Sequence, residues 1–172
     1  MHRHIPLGAS NFLSILEGIE GGFAIFVGII AGLYFQNVSH DLLISAGIIG
    51  IIVNAFNSSA VRYASEHFLD ELDGHEKRNK FRAYFIPALV EFMTYALVSL
   101  IAVVPLLLVQ DSLAAILFSV AVTVTILFIA GNYRGRILGR HALRDGMELA
   151  GIGIAIIMVG ALSGWVLSYL IQ

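Results

Sequence analysis

The sequence predicts an all-α membrane protein with five transmembrane helices. Of its 172 residues, 58% are hydrophobic and only 13% are charged, and the mean hydropathy is +0.87. A soluble domain of this size needs more polar residues to cover its surface. Five long apolar stretches each have about the 20 residues that cross a bilayer core, or more. A third observation, the placement of the basic residues, agrees with an odd number of spans.

The predicted spans belong to a single domain, residues 1–172. Each is predicted to be helical because it is too long for a strand and shows no alternating polarity. The spans cover approximately residues 11–35, 41–63, 84–109, 112–130 and 149–171. A short cytoplasmic helical hairpin is expected between the second and third spans. The polar stretch GNYRGRILGRHALRDG is expected to connect the fourth and fifth.

The basic residues predict the orientation of the chain. They occur at the N-terminus, after the second span and after the fourth, and are absent from the other connections and the C-terminal tail. Basic residues are retained on the cytoplasmic side of short loops, so the N-terminus is expected inside and the C-terminus outside. The ten are Arg3, Arg62, Lys77, Arg78, Lys80, Arg82, Arg134, Arg136, Arg140 and Arg144.

Polar side chains inside three of the spans are the candidates for a transport path. At a helical rise of 1.5 Å per residue, the acidic and amide members lie about 8–16 Å from the cytoplasmic ends. An ionised carboxylate at the bilayer centre costs about 2.5–3.5 kcal/mol, so such groups persist where they pair, face water or bind a cation. The candidates are Glu17, Glu20, Asn54, Asn57, Ser58, Arg62 and Glu91.

The pair Glu17 and Glu20 is the leading candidate for a metal site. Residues three apart share one helical face, and hard oxygen ligands suit a divalent cation or a proton relay. Two close carboxylates in a low dielectric cannot both ionise cheaply, so an entering cation would release a proton. The structural alternative is that the acidic groups only join helices, with Arg62 paired to Glu20, Glu66 or Glu91.

A second group of metal candidates lies outside the membrane, in SEHFLDELDGHEKRNKFRAY. Its members are Glu66, His67, Asp70 and Glu71. If the second helix continues past the membrane, Glu66/Asp70 and His67/Glu71 become i, i+4 pairs, and Gly74 is a natural stop. Histidine with carboxylates can bind a first-row metal, although the spacing is not that of a zinc site. The alternative is a solvated acidic turn.

Glycine pairs one turn apart mark two of the spans. They are Gly18 with Gly22, Gly28 with Gly32, and Gly160 with Gly164. Small residues at this spacing let two helix backbones approach closely. The first helix is therefore expected to be a central packing helix or part of a dimer interface.

Several segments together resemble the vacuolar iron transporter family. EGIEGGFAIFVGIIAGL is similar to the family's opening helix, and NAFNSSAVRYASE to its second helix. FRAYFIPALVEF with AVVPLLL resembles the third helix, and GRILGRHALRDGMELAGIGIAI the connection into the fifth. The resemblance implies a homodimeric antiporter that exports ferrous iron or manganese in exchange for protons. It also implies that Glu17 lies on the path and that an acidic segment outside the membrane collects the metal.

The sequence departs from the family pattern on the second helix. Asn54, Ser58 and Arg62 stand where the family typically carries an acidic residue, a methionine and another acidic residue. A family-like transporter of another solute, with Arg62 recognising an anion, is therefore one alternative. A non-transporting membrane scaffold with paired acidic residues is the other.

Other function classes are not supported by the sequence. It contains no cysteine, which excludes disulfides and thiolate metal sites. It shows no grouping of nucleophile, base and orienting residue and no phosphate-binding loop, so no enzyme activity is expected. The expected partners are the transported Fe²⁺ or Mn²⁺, protons, the lipid bilayer and a second copy of the chain. Neither a permanently bound cofactor nor nucleic acid is expected. The expected location is the cell membrane, or a vacuolar-type membrane in a eukaryote.

Overall fold

The computed structural model describes residues 9–74 and 79–170, and the described residues contain helices and no strand. Five helices are long and apolar enough to cross a membrane, which confirms the predicted fold class. Their bounds are α1 Ala9–Tyr34, α2 His40–Leu72, α3 Ile86–Leu108, α4 Ser112–Leu138 and α5 Ala142–Leu170, and a π-helical turn, Phe81–Phe85, leads directly into α3.

Helix α1 is the centre of the bundle and packs against all four other helices. In its most apolar segment 56% of the residues are buried, against 28–33% in the other helices. Phe23, Val27 and Ile30 are fully buried and lie in the main hydrophobic core. The acidic residues of α1 are therefore held against neighbouring helices by the packing of the same helix.

The glycine pairs are used for packing within the chain. A methyl group added at Gly160 would overlap the backbone of Gly28, and one added at Gly164 would overlap the backbone of Gly32. These four glycines let α1 and α5 meet backbone to backbone. Gly22 approaches α3 in the same way, since an added methyl group would lie 2.8 Å from the Tyr95 carbonyl oxygen. The prediction of a central packing helix is confirmed.

The connection between α4 and α5 is shorter than predicted. We expected a polar connection over GNYRGRILGRHALRDG, but α4 continues to Leu138 and α5 begins at Ala142. Gly139, in the left-handed conformation at φ 70°, ends α4. The other glycines of this stretch serve close packing instead: a methyl group at Gly135 would lie 2.8 Å from Ala142 Cα. Arginine and leucine residues, which have a high helix propensity, keep α4 helical between Gly135 and Gly139.

Helix α2 extends beyond the predicted second span, which ends at residue 63, as considered for a helix that continues past the membrane. It continues to Leu72, and Gly74 follows with a φ of 66°, as the sequence predicted for the stop. The π-helical turn before α3 takes the place of the expected second half of the hairpin. Residues 75–78, which include the basic residues Lys77 and Arg78, lie outside the described part of the chain.

Side-chain hydrogen bonds hold the opposite end of the bundle together. Ser39 and Asp111 cap α2 and α4 by accepting from the backbone amides of Leu42 and Ala114. His40 lies 2.7 Å from the Leu106 carbonyl oxygen, so its Nε2 donates there and links α2 to α3. This end carries polar side-chain contacts and, in the described part of the chain, no lysine or arginine, whereas the described lysine and arginine side chains lie toward the end where α2 and α4 finish and α3 and α5 begin. We call the latter the charged end.

Candidate transport site

Near the charged end a buried arginine joins three helices. Arg62 on α2 is 7% exposed. Its Nη1 donates to the carboxylate of Glu17 on α1. Its Nη2 donates to Glu66 at 2.7 Å and to the Ser10 carbonyl oxygen at 3.3 Å. Its Nε lies 3.8 Å from the carboxylate of Glu91 on α3, which is too far for a hydrogen bond. We call Glu17, Arg62, Glu66 and Glu91 the Arg62 cluster.

The third carboxylate of this cluster is the most deeply buried. Glu91 is 2% exposed, and its Oε1 accepts a hydrogen bond from Ser58 on α2. Its other oxygen has no hydrogen-bond partner in the described structure, and neither has Arg62 Nε. One guanidinium thus faces three carboxylates, two more than it can neutralise when all three are ionised.

Glu20 belongs to a different cluster. It accepts a hydrogen bond from Arg134 Nη1 on α4 at 3.1 Å. The Nε of Arg134 lies 3.9 Å from Asp145 Oδ2 on α5, and Asp145 is 4% exposed. Glu20, Arg134 and Asp145 form the Arg134 cluster, which links α1, α4 and α5.

The structure therefore separates the two carboxylates that we expected to share a metal site. Glu17 and Glu20 lie one turn apart on α1, as predicted, but Glu17 faces Arg62 and Glu20 faces Arg134. Neither Arg134 nor Asp145 was among the sequence candidates, because both fell in the stretch assigned to a connection. Had that stretch been predicted as two helix ends, the opposite charges of Arg134 and Asp145 at close-packed positions would have indicated a pair between helices.

The remaining polar candidates on α2 do not all reach the Arg62 cluster. Asn54 donates to the Gly50 carbonyl oxygen of its own helix at 2.9 Å. Asn57 is exposed on the outer surface of the bundle. Of the predicted residues on this helix, Ser58 and Arg62 line the cluster.

The four candidates for collecting metal are divided among separate contacts. Glu66 belongs to the Arg62 cluster. His67 lies 3.3 Å from Glu71, as predicted for a continued helix, and its ring also contacts Tyr84. Asp70 accepts a hydrogen bond from the Tyr84 hydroxyl at 2.8 Å, which ties the end of α2 to the π-helical turn.

Among the described residues, 9–74 and 79–170, no group of three or more histidine or acidic side chains is arranged so that it could hold a metal ion. In the arrangement shown by the structure, the carboxylates of the Arg62 cluster surround a guanidinium instead. The positive charge that faces these carboxylates is therefore supplied by the protein itself, through the Arg62 guanidinium.

Comparison with known proteins identifies the chain's relatives. The sequence profile of the VIT family matches residues 64–165, which is more than half of the chain. This match runs from the last part of α2 into α5 and includes Glu66, Glu91, Arg134 and Asp145, while Glu17 lies outside it. No curated protein matches the sequence significantly. The chain therefore belongs to the VIT family, the vacuolar iron transporters, which are membrane transporters and not enzymes.

Proposed function

We propose that this protein exports a divalent transition metal, Fe²⁺ or Mn²⁺, from the cytoplasm in exchange for protons. The Arg62 cluster is the observation that carries the proposal. It collects three carboxylates from three helices near the charged end of the bundle. Carboxylate is a hard ligand that suits such ions, and family membership supplies the class of cargo.

The exchange of metal for protons follows from the chemistry of these oxygens. A carboxylate must lose its proton before it can bind a metal, so metal and proton compete for the same atoms. Glu17 is the residue best placed to exchange them. Its side chain is 41% exposed, whereas that of Glu91 is 2% exposed. Part of the Glu17 side chain therefore lies outside the buried part of the site, and we propose that the ion first meets it there.

The position of Asn57 supports the proposal that two copies of the chain act together. Its amide is exposed on the surface of α2, between the exposed apolar residues Phe56 and Val61. Lipid tails offer an amide no hydrogen-bond partner, whereas a neighbouring helix can. A second copy of the chain covering this face would satisfy the amide.

Transport can be tested with the purified protein in proteoliposomes that carry an outward proton gradient. We expect uptake of Fe²⁺ and Mn²⁺ that exceeds the uptake of Ca²⁺ and Mg²⁺ and depends on the gradient. Protein-free liposomes measure leakage. Uptake no greater than leakage for all of the divalent ions would contradict the proposal.

A non-transporting scaffold is the second candidate, because Arg62 and Arg134 both contact carboxylates that join helices. The scaffold would retain its fold and dimerise but show no flux in the same assay. The other alternative, in which Arg62 recognises an anionic solute, is less well supported because the carboxylates around Arg62 would repel an anion.

A further inference from the structure

We propose that Arg62 is a tethered competitor of the transported cation. Its guanidinium fills the carboxylate site in the resting protein and must withdraw before an external cation can bind there. This inference rests on the proposed function, since it concerns how the same site is occupied and released.

The first argument is that oxygen atoms from three helices converge on the guanidinium. Glu17 of α1 and Glu66 of α2 accept hydrogen bonds from it, and Glu91 of α3 lies 3.8 Å away. With three carboxylates and one arginine, the site keeps a net negative charge while Arg62 is bound when all three carboxylates are ionised. It therefore continues to attract a second cation.

The second argument is that the guanidinium fits the site incompletely. Its Nε and the Oε2 of Glu91 face each other, both buried, and neither has a hydrogen-bond partner in the described residues. Leaving buried polar atoms unpaired is costly. A small ion, which binds oxygen at about 2.0–2.6 Å, can draw the carboxylates closer than a planar guanidinium allows. A cation that displaces Arg62 would therefore use oxygen atoms that Arg62 leaves unused.

The third argument is that the Arg62 side chain can leave Glu17 and Glu91 without losing its ion pair with Glu66. Glu66 lies four residues further along α2, so the two side chains share a helical face. The Glu66 side chain is 29% exposed and lies toward the charged end. By swinging toward Glu66, Arg62 would keep one ion pair and release Glu17 and Glu91 to a metal. When the metal leaves, the guanidinium returns and prevents the two carboxylates from facing each other uncompensated.

The test is direct binding of Mn²⁺ to the purified full-length protein, measured by the EPR signal of the free ion. We expect Arg62→Ala to bind Mn²⁺ at least about tenfold more tightly than wild type, within the usual range of coupling between two ligands. Guanidinium at low millimolar concentration should compete with Mn²⁺ in this variant and have no effect on wild type. Arg82→Ala is the matched control, because Arg82 is exposed at the same end of the bundle. It should bind as wild type does.

Equal Mn²⁺ affinity in Arg62→Ala and wild type would overturn the proposal. If the variant loses its fold during purification, Arg62→Gln and extraction in the presence of Mn²⁺ or guanidinium provide the second measurement. Recovery of folded protein only with an added cation supports competition, and failure to recover it under every condition contradicts it. The outcome is separable from that of the transport assay. If Arg62→Ala binds Mn²⁺ more tightly but the wild-type protein shows no flux, only the transport proposal is rejected. If the wild-type protein shows flux but Arg62→Ala binds Mn²⁺ no more tightly, only the competitor role is rejected.

Discussion

At the scale of single residues, the two arginine clusters combine groups that differ in how well the sequence predicts them. Glu17, Ser58 and Glu91 are recognisable because each interrupts an apolar run at a similar depth, and Arg62 because it is a charge near the cytoplasmic end of the predicted second span. The sequence also left open whether Arg62 has an acidic partner, and the structure gives it Glu17 and Glu66 as hydrogen-bond partners. Which carboxylate faces which arginine depends on the rotation of each helix about its axis, and this is set by packing across the whole bundle.

The Arg134 cluster should contribute to stability, since Asp145 is buried beside it. Replacing Arg134 with Gln leaves the buried Asp145 carboxylate without its cation. Because the Arg134 side chain is 22% exposed, the loss should not exceed the low end of the range of about 3–5 kcal/mol that is typical of breaking a fully buried pair. The double variant Arg134→Gln/Asp145→Asn also removes the uncompensated charge of Asp145 and should recover part of the loss, while Glu20 still lacks its arginine. Thermal unfolding of the purified protein in detergent measures both effects.

The control for this prediction is Arg144→Gln, because Arg144 is exposed and adjacent to Asp145 in sequence. It should unfold within a degree or two of wild type, as surface substitutions usually change stability by at most about 0.5 kcal/mol. A double variant that is no more stable than Arg134→Gln would show that Asp145 does not depend on Arg134.

At the scale of helices, the ends were harder to predict than the spans. The apolar runs identify five helices because the bilayer demands a minimum length. They do not show where a helix stops once it leaves the apolar region. Gly131 and Gly135 look like residues of a loop in the sequence, yet they lie where α4 meets α5. A glycine that permits a turn and one that permits close packing cannot be told apart without the neighbouring helix.

The backbone contact between α1 and α5 predicts a sharp difference between two glycines of the same helix. In Gly164→Ala the added methyl group would overlap the backbone of Gly32, so the helices must separate. We expect a loss of about 1–3 kcal/mol, typical of overpacking. In Gly151→Ala the methyl group meets nothing within 4 Å, and stability should be unchanged or higher. Comparable unfolding temperatures for the two variants would contradict the close approach of α1 and α5.

At the scale of the whole molecule, the described basic residues outside the two clusters lie at one end of the bundle. This arrangement agrees with the pattern of connections from which the sequence predicts a cytoplasmic charged end. The direction of transport that we propose depends on this orientation.

The orientation can be measured by labelling introduced cysteines, since the chain has none of its own. Asn37 and Gln110 are exposed in the connections at the opposite end, and Lys80 is exposed at the charged end. Cysteines at the first two positions should react with an impermeant maleimide added outside intact cells. A cysteine at Lys80 should react only after the membrane is opened. Labelling of the Lys80 position from outside would show that the charged end is extracellular, which would contradict the predicted orientation and the proposed direction of transport.

The central claim is that the carboxylates of the Arg62 cluster exchange metal for protons, and Glu17 tests it most directly. Glu17→Gln keeps the size of the side chain and its ability to accept a hydrogen bond from Arg62, but the amide cannot bind and release a proton. Glu20→Gln is the matched control one turn away, because Glu20 pairs with Arg134 instead.

The measurement is Mn²⁺ flux with simultaneous recording of the internal pH in proteoliposomes. In wild type, Mn²⁺ and protons should move in opposite directions. Glu20→Gln should retain much of both movements. Glu17→Gln should insert normally and lose both. Wild-type Mn²⁺ flux and proton exchange in Glu17→Gln would contradict the account.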